Sequence, residues 1–195
     1  MRDAAAASPA GSWTERMKAR LRDVTAIGTG AALAVVLGVI CKSLPLPRLP
    51  YGGSITLESL PILFVALWLG WRAGIQTGIL SGLLQLLLDA HIYHPAQVIL
   101  DYPLAFGLLG LSGLISSTAP AILLGFLLRY LAHVLSGVVF FSAYAPEGVS
   151  AWAYSATYNA SYIVPEAILG VILVPLLLKR AGKTTPALQS MENAG

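Results

Sequence analysis

Residues 121–141 read AILLGFLLRYLAHVLSGVVFF, an apolar run in which Arg129 and His133 are the ionisable side chains. A helix needs about 20 mostly apolar residues to cross a bilayer, and this run is long enough. The rest of the chain has the same character, with 56% hydrophobic residues, 11% charged residues and a mean hydropathy of +0.75. Soluble domains carry about 25% charged residues. The sequence therefore predicts an all-α integral membrane protein with one membrane domain.

Working outward from this run, the apolar segments predict six membrane-spanning helices, at 24–44, 55–70, 73–90, 98–116, 119–142 and 160–179. Together they form a membrane domain over 24–180, between an N-terminal tail, 1–23, and a C-terminal tail, 181–195. In the first tail Trp13, Met17 and Leu21 recur every four residues among basic side chains. This pattern fits either a short helix lying on an anionic membrane surface or a plain charged leader.

The distribution of Lys and Arg predicts the orientation in the membrane, because basic residues concentrate on the cytoplasmic side. One side holds most of them: Arg16, Lys18, Arg20, Arg22, Arg72, Lys179, Arg180 and Lys183. The other side offers Arg48. Both termini are therefore predicted to be cytoplasmic, with the first, third and fifth connections outside. The same topology explains the net charge of +3 better than a nucleic-acid partner does, and the single Cys41 excludes an internal disulfide framework.

Small residues recur every fourth position on two spans. The first set is Ala26, Gly30, Ala34 and Gly38, and the second is Gly70, Gly74, Gly78 and Gly82. Such stripes let helix backbones approach closely. They indicate either packing inside this protein or a surface for a partner's helices.

Polar and aromatic side chains converge at the predicted outer ends of three spans. His133, Gly137 and Phe141 are spaced by four on one face of the fifth span, which could wall a slot for a flat molecule. Asp101 and Tyr102 open the fourth span, and Pro103 is expected in its first turn. The sixth span follows the ring-rich connection 144–162, YAPEGVSAWAYSATYNASY, which contributes Tyr154, Asn159 and, less directly, Tyr158.

Other residues near these ends have simpler interpretations. Tyr144, Trp152 and Tyr162 are predicted to belong to the aromatic belt at the membrane surface. Glu58 and Asp89 fall near span ends, where water is expected to reach them. Arg129 lies inside the fifth span, and the sequence leaves open whether it pairs with Glu166, with Asp89 or with neither.

A carboxylate among aromatic rings points to a particular ligand chemistry. Rings attract cations through their faces, and a cation keeps Asp101 ionised in an otherwise unfavourable setting. The ligand predicted from the residues is a small, flat, partly aromatic cation held by Asp101, with Asn159 and His133 bonding its heteroatoms. No metal or cofactor is expected: His91 and His94 lie just before a proline in a connection and lack further ligands at metal-site spacing. The sequence contains no GxxxxGK[ST] motif for ATP.

Three segments resemble a known family: VILDYPLAFGLLGLSGL (98–114), RYLAHVLSGVVFFSAYAPEG (129–148) and WAYSATYNASYIVPE (152–166). Together with GGSITLESLPILFVALWLGWRAG (52–74), they are similar to the thiamine-specific substrate-binding (S) components of energy-coupling factor (ECF) transporters, the ThiT or YuaJ family. The resemblance covers roughly 24–180. It implies a six-helix S component in a prokaryotic cell membrane, with thiamine bound near the outer surface. It also implies a transmembrane coupling subunit and two cytoplasmic ATPase subunits as partners.

The resemblance also implies roles for particular residues. Substrate-binding positions of the family match Asp101, Tyr102, His133, Gly137, Tyr154 and Asn159. The family pattern has Trp where this chain has Phe141, and a Trp in the first connection, where Tyr51 is the nearest ring. The family's motif for docking the coupling subunit maps to Ala26, Gly30 and Ala34.

Three alternatives to a thiamine-binding subunit remain open from the sequence. The ligand could be a thiamine precursor or another pyrimidine-containing vitamin, which the Phe141 departure would accommodate. A membrane-embedded enzyme could use His91, His94, Asp101 or His133. A non-catalytic scaffold would explain the small-residue stripes, although it leaves the carboxylate among rings without a role.

Overall fold

The structure, a computed structural model, describes residues 9–44, 49, 53–88 and 91–182. Within these ranges the chain forms six helices and no strand, as the sequence predicted. The helices are α1 (Pro9–Ser43), α2 (Ser59–Leu69), α3 (Trp71–Leu88), α4 (Pro95–Leu114), α5 (Thr118–Phe140) and α6 (Ala151–Arg180). Four of them, α1, α4, α5 and α6, are long and apolar enough to cross a membrane, and α2 is a shorter apolar helix.

Successive helices run in opposite directions, which gives the bundle two distinct ends. Gly38 near the end of α1 packs against Glu58 just before α2, whereas Gly113 near the end of α4 packs against the start of α3. We call the end that holds the starts of α2, α4 and α6 the cavity end. The opposite end, with the start of α1 and the end of α6, is the terminal end. Between them lies an apolar core that includes Ile62, Leu63, Leu109, Ile122 and Val174.

The glycine stripe on α3 packs within the protein. A Cβ on Gly78 would run into the backbone carbonyl of Phe106, and one on Gly82 would lie 2.6 Å from the carbonyl oxygen of Tyr102. Gly74 meets Ala66 of α2 and Gly110 of α4 in the same way. The stripe therefore lets α3 pack directly against the backbone of α4. This packing determines the position of the polar residues on α4.

The small-residue stripe on α1 also packs largely within this chain. A Cβ on Gly30 would lie 2.9 Å from Val65 of α2 and 3.2 Å from Thr77 of α3. Ala34 is completely buried, while Ala26 is half-buried. Gly30 therefore packs against α2 and α3, and the docking role of Ala26, Gly30 and Ala34 stays a prediction.

Two helices begin earlier than the sequence indicated. Residues 13–23 continue α1 without a break, so they form neither a separate surface helix nor an irregular leader. The stretch predicted as a connection before the sixth span is helical from Ala151 onward. Ser150 caps it by accepting a hydrogen bond from the backbone N–H of Ala153 at 3.2 Å. The aromatic residues 152–162 therefore stand on α6 and not on a loop.

Helix α4 also begins earlier than predicted and is irregular. Its first turn starts at Pro95, and the Nδ1 atom of His94 accepts a hydrogen bond from the N–H of Ala96 at 3.1 Å. Pro103 is consequently not in the first turn. It lies in a π-helical segment, Leu100–Leu104, whose wider turn accommodates a residue that has no N–H to donate. This segment carries Asp101 and Tyr102.

Replacing Gly78 with Ala is expected to destabilise the bundle, because the added methyl meets the α4 backbone, which has little freedom to move away. We expect the free energy of unfolding to fall by about 1–3 kcal/mol, measured by thermal unfolding of the purified protein in detergent. Gly28→Ala is the matched control, since a Cβ there has nothing within 4 Å. Equal melting temperatures for the two variants would contradict the packing described for α3.

Candidate functional site

A cavity of about 360 Å³ opens at the cavity end, bordered by α1, α3, α4, α5, α6 and the segment before α2. Seven of the eight predicted substrate-binding residues line it: Asp101, Tyr102, His133, Gly137, Phe141, Tyr154 and Asn159. The eighth, Tyr51, lies outside the described residues. The structure thus gathers residues from α4, α5 and α6 around one space.

The Asp101 carboxylate is held in place by three neighbours. Its Oδ2 atom accepts hydrogen bonds from Gln97 Nε2 at 2.7 Å and from Ser136 Oγ at 2.9 Å, and its Oδ1 atom lies 3.0 Å from His133 Nδ1. The side chain is 17% exposed. These three contacts hold the carboxylate at the cavity wall in a fixed orientation.

The hydrogen bonds of His133 define the position of its proton. Arg129 Nε lies 3.4 Å from His133 Nε2, and a guanidinium group can only donate. The Nε2 atom therefore accepts, and the ring proton lies on Nδ1, where it is donated to Asp101 Oδ1. The edge of the ring also meets Tyr162, with centroids 6.2 Å apart. In this arrangement the Nδ1 atom of His133 aligns the Asp101 carboxylate.

Arg129 is buried in a network of ion pairs behind the cavity wall. Its guanidinium lies 2.6 Å from Glu166 and 3.2 Å from Glu58, and it stacks over the ring of Phe106 at 4.6 Å. Of the pairings left open by the sequence, the structure shows Glu166, while Asp89 lies outside the described residues. Glu58 corrects the sequence interpretation, because it is 5% exposed and paired with Arg129 instead of lying in water.

The second carboxylate of the network fastens the segment before α2 to α6. Glu166 Oε1 accepts hydrogen bonds from the backbone N–H and the hydroxyl of Thr56, at 2.8 and 2.9 Å. Ser59 Oγ donates to Glu166 Oε2 at 3.2 Å. Every oxygen of this buried carboxylate therefore has a partner, which is the condition for keeping a charge inside a membrane protein.

Asn159 stands where α5 and α6 cross, and its polar atoms are used within the protein. Within α6, its Nδ2 atom donates to the carbonyl of Ser155 at 2.9 Å and its Oδ1 atom accepts from Tyr162 Oη at 2.6 Å. The same Nδ2 atom also donates to the carbonyl of His133 on α5, at 3.4 Å. Gly137 permits this crossing, since a Cβ there would overlap Ser155 Oγ. Two of the predicted binding residues thus also hold the two helices together.

Aromatic rings line the α6 side of the cavity. Tyr154, Tyr158 and Tyr162 follow one another along the helix, with neighbouring centroids 6.2 and 6.0 Å apart. Tyr162 is 6% exposed and borders the cavity, so it does not belong to the membrane-surface belt predicted for it. Phe141 packs on Tyr93 with centroids 5.4 Å apart at the end of α5.

Sequence reasoning missed several polar residues of the site. Gln97 and Ser136 bind Asp101, and Gln85 lines the cavity next to Glu58. Gln97 had a signal, because it lies four residues before Asp101 and thus on the same helix face. Ser136 likewise follows His133 by three residues. Gln85 belongs to another helix, and no local spacing connects it with the site.

These features define a class: a multi-pass helical membrane protein with an anionic, ring-lined cavity for a small polar solute at one end of the bundle. The family model of "Thiamine transporter protein (Thia_YuaJ)" matches residues 24–186. The chain belongs to this thiamine transporter family.

Similar proteins agree with this assignment. The chain is 39% identical over 168 residues to the thiamine transporter ThiT of Bacillus subtilis, an alignment that covers 77% of this chain and 86% of that protein. It is 31% identical over 140 residues to ThiT of Lacticaseibacillus paracasei, covering 61% and 70%. The solved structure of ThiT from Listeria monocytogenes superposes with a TM-score of 0.74 at 30% identity, covering 84% of this chain and 97% of that one.

These similarities confirm the resemblance found in the sequence and the S-component fold. The relatives come from bacteria and are named transporters, not enzymes. They do not assign a role to any single side chain of this protein. The binding residues therefore remain predictions that depend on the geometry of the cavity.

Replacing Arg129 with Met is expected to destabilise the protein strongly, because Glu58 and Glu166 would lose their common counter-ion inside the bundle. Breaking a buried ion pair from one side costs about 3–5 kcal/mol. Combining the substitution with Glu166→Gln should restore part of the loss. Thermal unfolding measures both effects, with the exposed Arg20→Met as the control. If Arg129→Met melts at the same temperature as Arg20→Met, the network is not a stabilising element.

Proposed function

We propose that this chain is the high-affinity thiamine-binding S component of an ECF-type vitamin importer. The observation that carries the proposal is the Asp101 carboxylate, fixed by three neighbours at the wall of a ring-lined cavity, in a member of the thiamine transporter family. The cavity lies at the cavity end, where the proposal puts the outer face of the membrane.

The chemistry of thiamine matches the cavity. Thiamine has two flat rings joined by a methylene bridge: a permanently charged thiazolium, which carries a hydroxyethyl group, and an aminopyrimidine. Asp101 supplies the counter-charge, and each stacked ring contributes about 0.5–2 kcal/mol to binding a cation. Phe141, Tyr154 and Tyr102 border the cavity and are the rings proposed to contact the ligand. Tyr51 is proposed to cover it from the first connection.

The ion network supports a cationic ligand as well. Arg129 borders the cavity, and its charge alone would repel a cation. Glu58 and Glu166 both pair with it, so the cluster of three groups carries a net negative charge. Lys42 also lines the cavity, but with Asp101 added the acidic groups still outnumber the basic ones, so the potential favours cations over anions.

The proposed orientation follows from the basic side chains. Among the described residues, the terminal end carries Arg16, Lys18, Arg20, Arg22, Arg72, Lys179 and Arg180. Lys42 is the one described basic residue near the cavity end besides the buried Arg129. The excess at the terminal end favours cytoplasmic placement of both termini, with the cavity facing outside.

The proposed partners are an ECF transmembrane coupling subunit and two cytoplasmic ATPase subunits, which would supply the energy for release of thiamine inside. Support comes from the S-component resemblance, and the 195 residues carry no GxxxxGK[ST] motif of their own. The proposed contact with the coupling subunit is the motif of Ala26, Gly30 and Ala34, of which Ala26 is the most exposed member.

Removing the charge of Asp101 should weaken thiamine binding. For Asp101→Asn we expect the Kd for thiamine to rise about 100-fold, on the order of 3 kcal/mol, because the buried cation loses its counter-ion. Isothermal titration of the purified protein measures the Kd directly. Asp23→Asn removes the same charge from an exposed position on α1 and should bind like the unmodified chain. No saturable binding of thiamine by the unmodified chain would refute the proposed ligand.

Co-expression with the ECF module of the same bacterium tests the partners. The chain should co-purify with the coupling subunit and both ATPases, and thiamine uptake into proteoliposomes should require the whole complex and ATP. A complex with an inactivated ATPase is the control and should bind thiamine without transporting it. Concentrative uptake by the isolated chain without ATP would contradict the proposed division of labour.

A further inference from the structure

We propose that Gln85 is a second polar contact of the ligand, and that its side-chain carbonyl accepts a hydrogen bond from a neutral donor group of thiamine. This inference depends on the proposed function and adds a specificity-determining residue on α3. The family resemblance and the sequence patterns did not indicate any ligand contact on this helix.

The side chain of Gln85 is held in a defined orientation. It lies in the last turn of α3, is 7% exposed and borders the cavity. Its Nε2 atom lies 3.1 Å from Glu58 Oε2. Because an ionised carboxylate only accepts hydrogen bonds, the amide nitrogen must be the atom that faces Glu58. The carbonyl oxygen, Oε1, then points away from Glu58.

The carbonyl of Gln85 has no partner among the described residues, although most of the side chain is buried. In the part of the chain that the structure describes, Ser112 Oγ is the single fully buried side-chain polar atom without a hydrogen bond. Gln85 Oε1 also lacks a hydrogen bond but is not such an atom, so it is not fully buried and must contact open space. The open space that Gln85 borders is the cavity. An oriented acceptor at the wall of a binding cavity is available to a hydrogen-bond donor of the ligand.

The surroundings of Gln85 keep its amide in this orientation before any ligand binds. Glu58 is itself fixed by Arg129 Nη2 at 3.2 Å. Gly38 of α1 leaves room for the carboxylate, since a Cβ there would lie 2.7 Å from Glu58 Oε2. The acceptor is thus pre-organised by the ion network, and binding need not spend free energy on ordering it.

The division of labour between Asp101 and Gln85 suits the groups of thiamine. The charged thiazolium needs a carboxylate, whereas the pyrimidine amino group and the side-chain hydroxyl are neutral donors that need an acceptor. An amide carbonyl distinguishes a donor from an acceptor at the same position, because two facing acceptors would both be left unpaired. Gln85 would therefore discriminate against analogues in which the donor is lost.

The test compares Gln85→Met with the unmodified chain against three ligands by isothermal titration. Met keeps the length of the side chain without its polar atoms, and the substitution changes no charge. The ligands are thiamine, oxythiamine, in which a carbonyl replaces the amino group, and the analogue with ethyl in place of hydroxyethyl. Gln76→Met, an exposed position on the same helix, is the matched control.

We expect Gln85→Met to weaken thiamine binding roughly five- to tenfold, the effect of one neutral hydrogen bond. One of the two analogues should bind the variant and the unmodified chain equally well, and that analogue identifies the donor group. Unchanged thiamine affinity, or the same loss for all three ligands, would overturn the inference.

Gln85→Asn, which retains the amide but withdraws it by one methylene, serves if the Met variant does not fold, with the same expected pattern. Failure of the unmodified chain to bind thiamine is a different result, because it refutes the proposed function itself. If the unmodified chain binds thiamine and the Gln85 variants bind it with the same affinity, this inference alone is refuted.

Discussion

The ion pairs of Arg129 with Glu58 and Glu166 are the constraint on which the rest of the site depends. A charged side chain inside a membrane protein is retained when its hydrogen-bonding capacity is filled. Here the guanidinium of Arg129 on α5 binds Glu166 on α6 and Glu58 just before α2. Each of these carboxylates also binds a further residue. Glu166 fastens Thr56, and Glu58 orients Gln85. The network therefore fixes both the shape of the bundle and the position of polar groups around the cavity.

The same guanidinium connects the core to the binding carboxylate. Arg129 donates to His133, His133 donates to Asp101, and Asp101 faces the cavity. The direction of donation along this chain is set by Arg129, which cannot accept. Structural and binding roles are consequently coupled through a single imidazole.

The sequence predicted the parts of the structure that depend on local pattern. Apolar length predicted six helices, and the spacing of His133, Gly137 and Phe141 predicted one face of α5 toward the cavity. It failed where tertiary packing overrides local pattern. Polar and aromatic residues such as Tyr154 and Asn159 suggested a loop. They are helical in the structure, where Gly137 lets α6 pack closely against α5. The exposure of Glu58 was misjudged for a similar reason, since its partner Arg129 is far away in the sequence.

The ring-rich segment at the start of α6 shows why a helix suits this site better than a loop. On a helix Tyr154, Tyr158 and Tyr162 recur every turn and present their rings to one cavity in a fixed order. Tyr158 Oη also accepts a hydrogen bond from the N–H of Gly53 at 2.9 Å, which attaches the first connection to the same helix. A loop would have to lose conformational entropy to align these rings each time a ligand bound. On the helix this entropy is already lost when the protein folds, so ordering the rings does not reduce the affinity for the ligand.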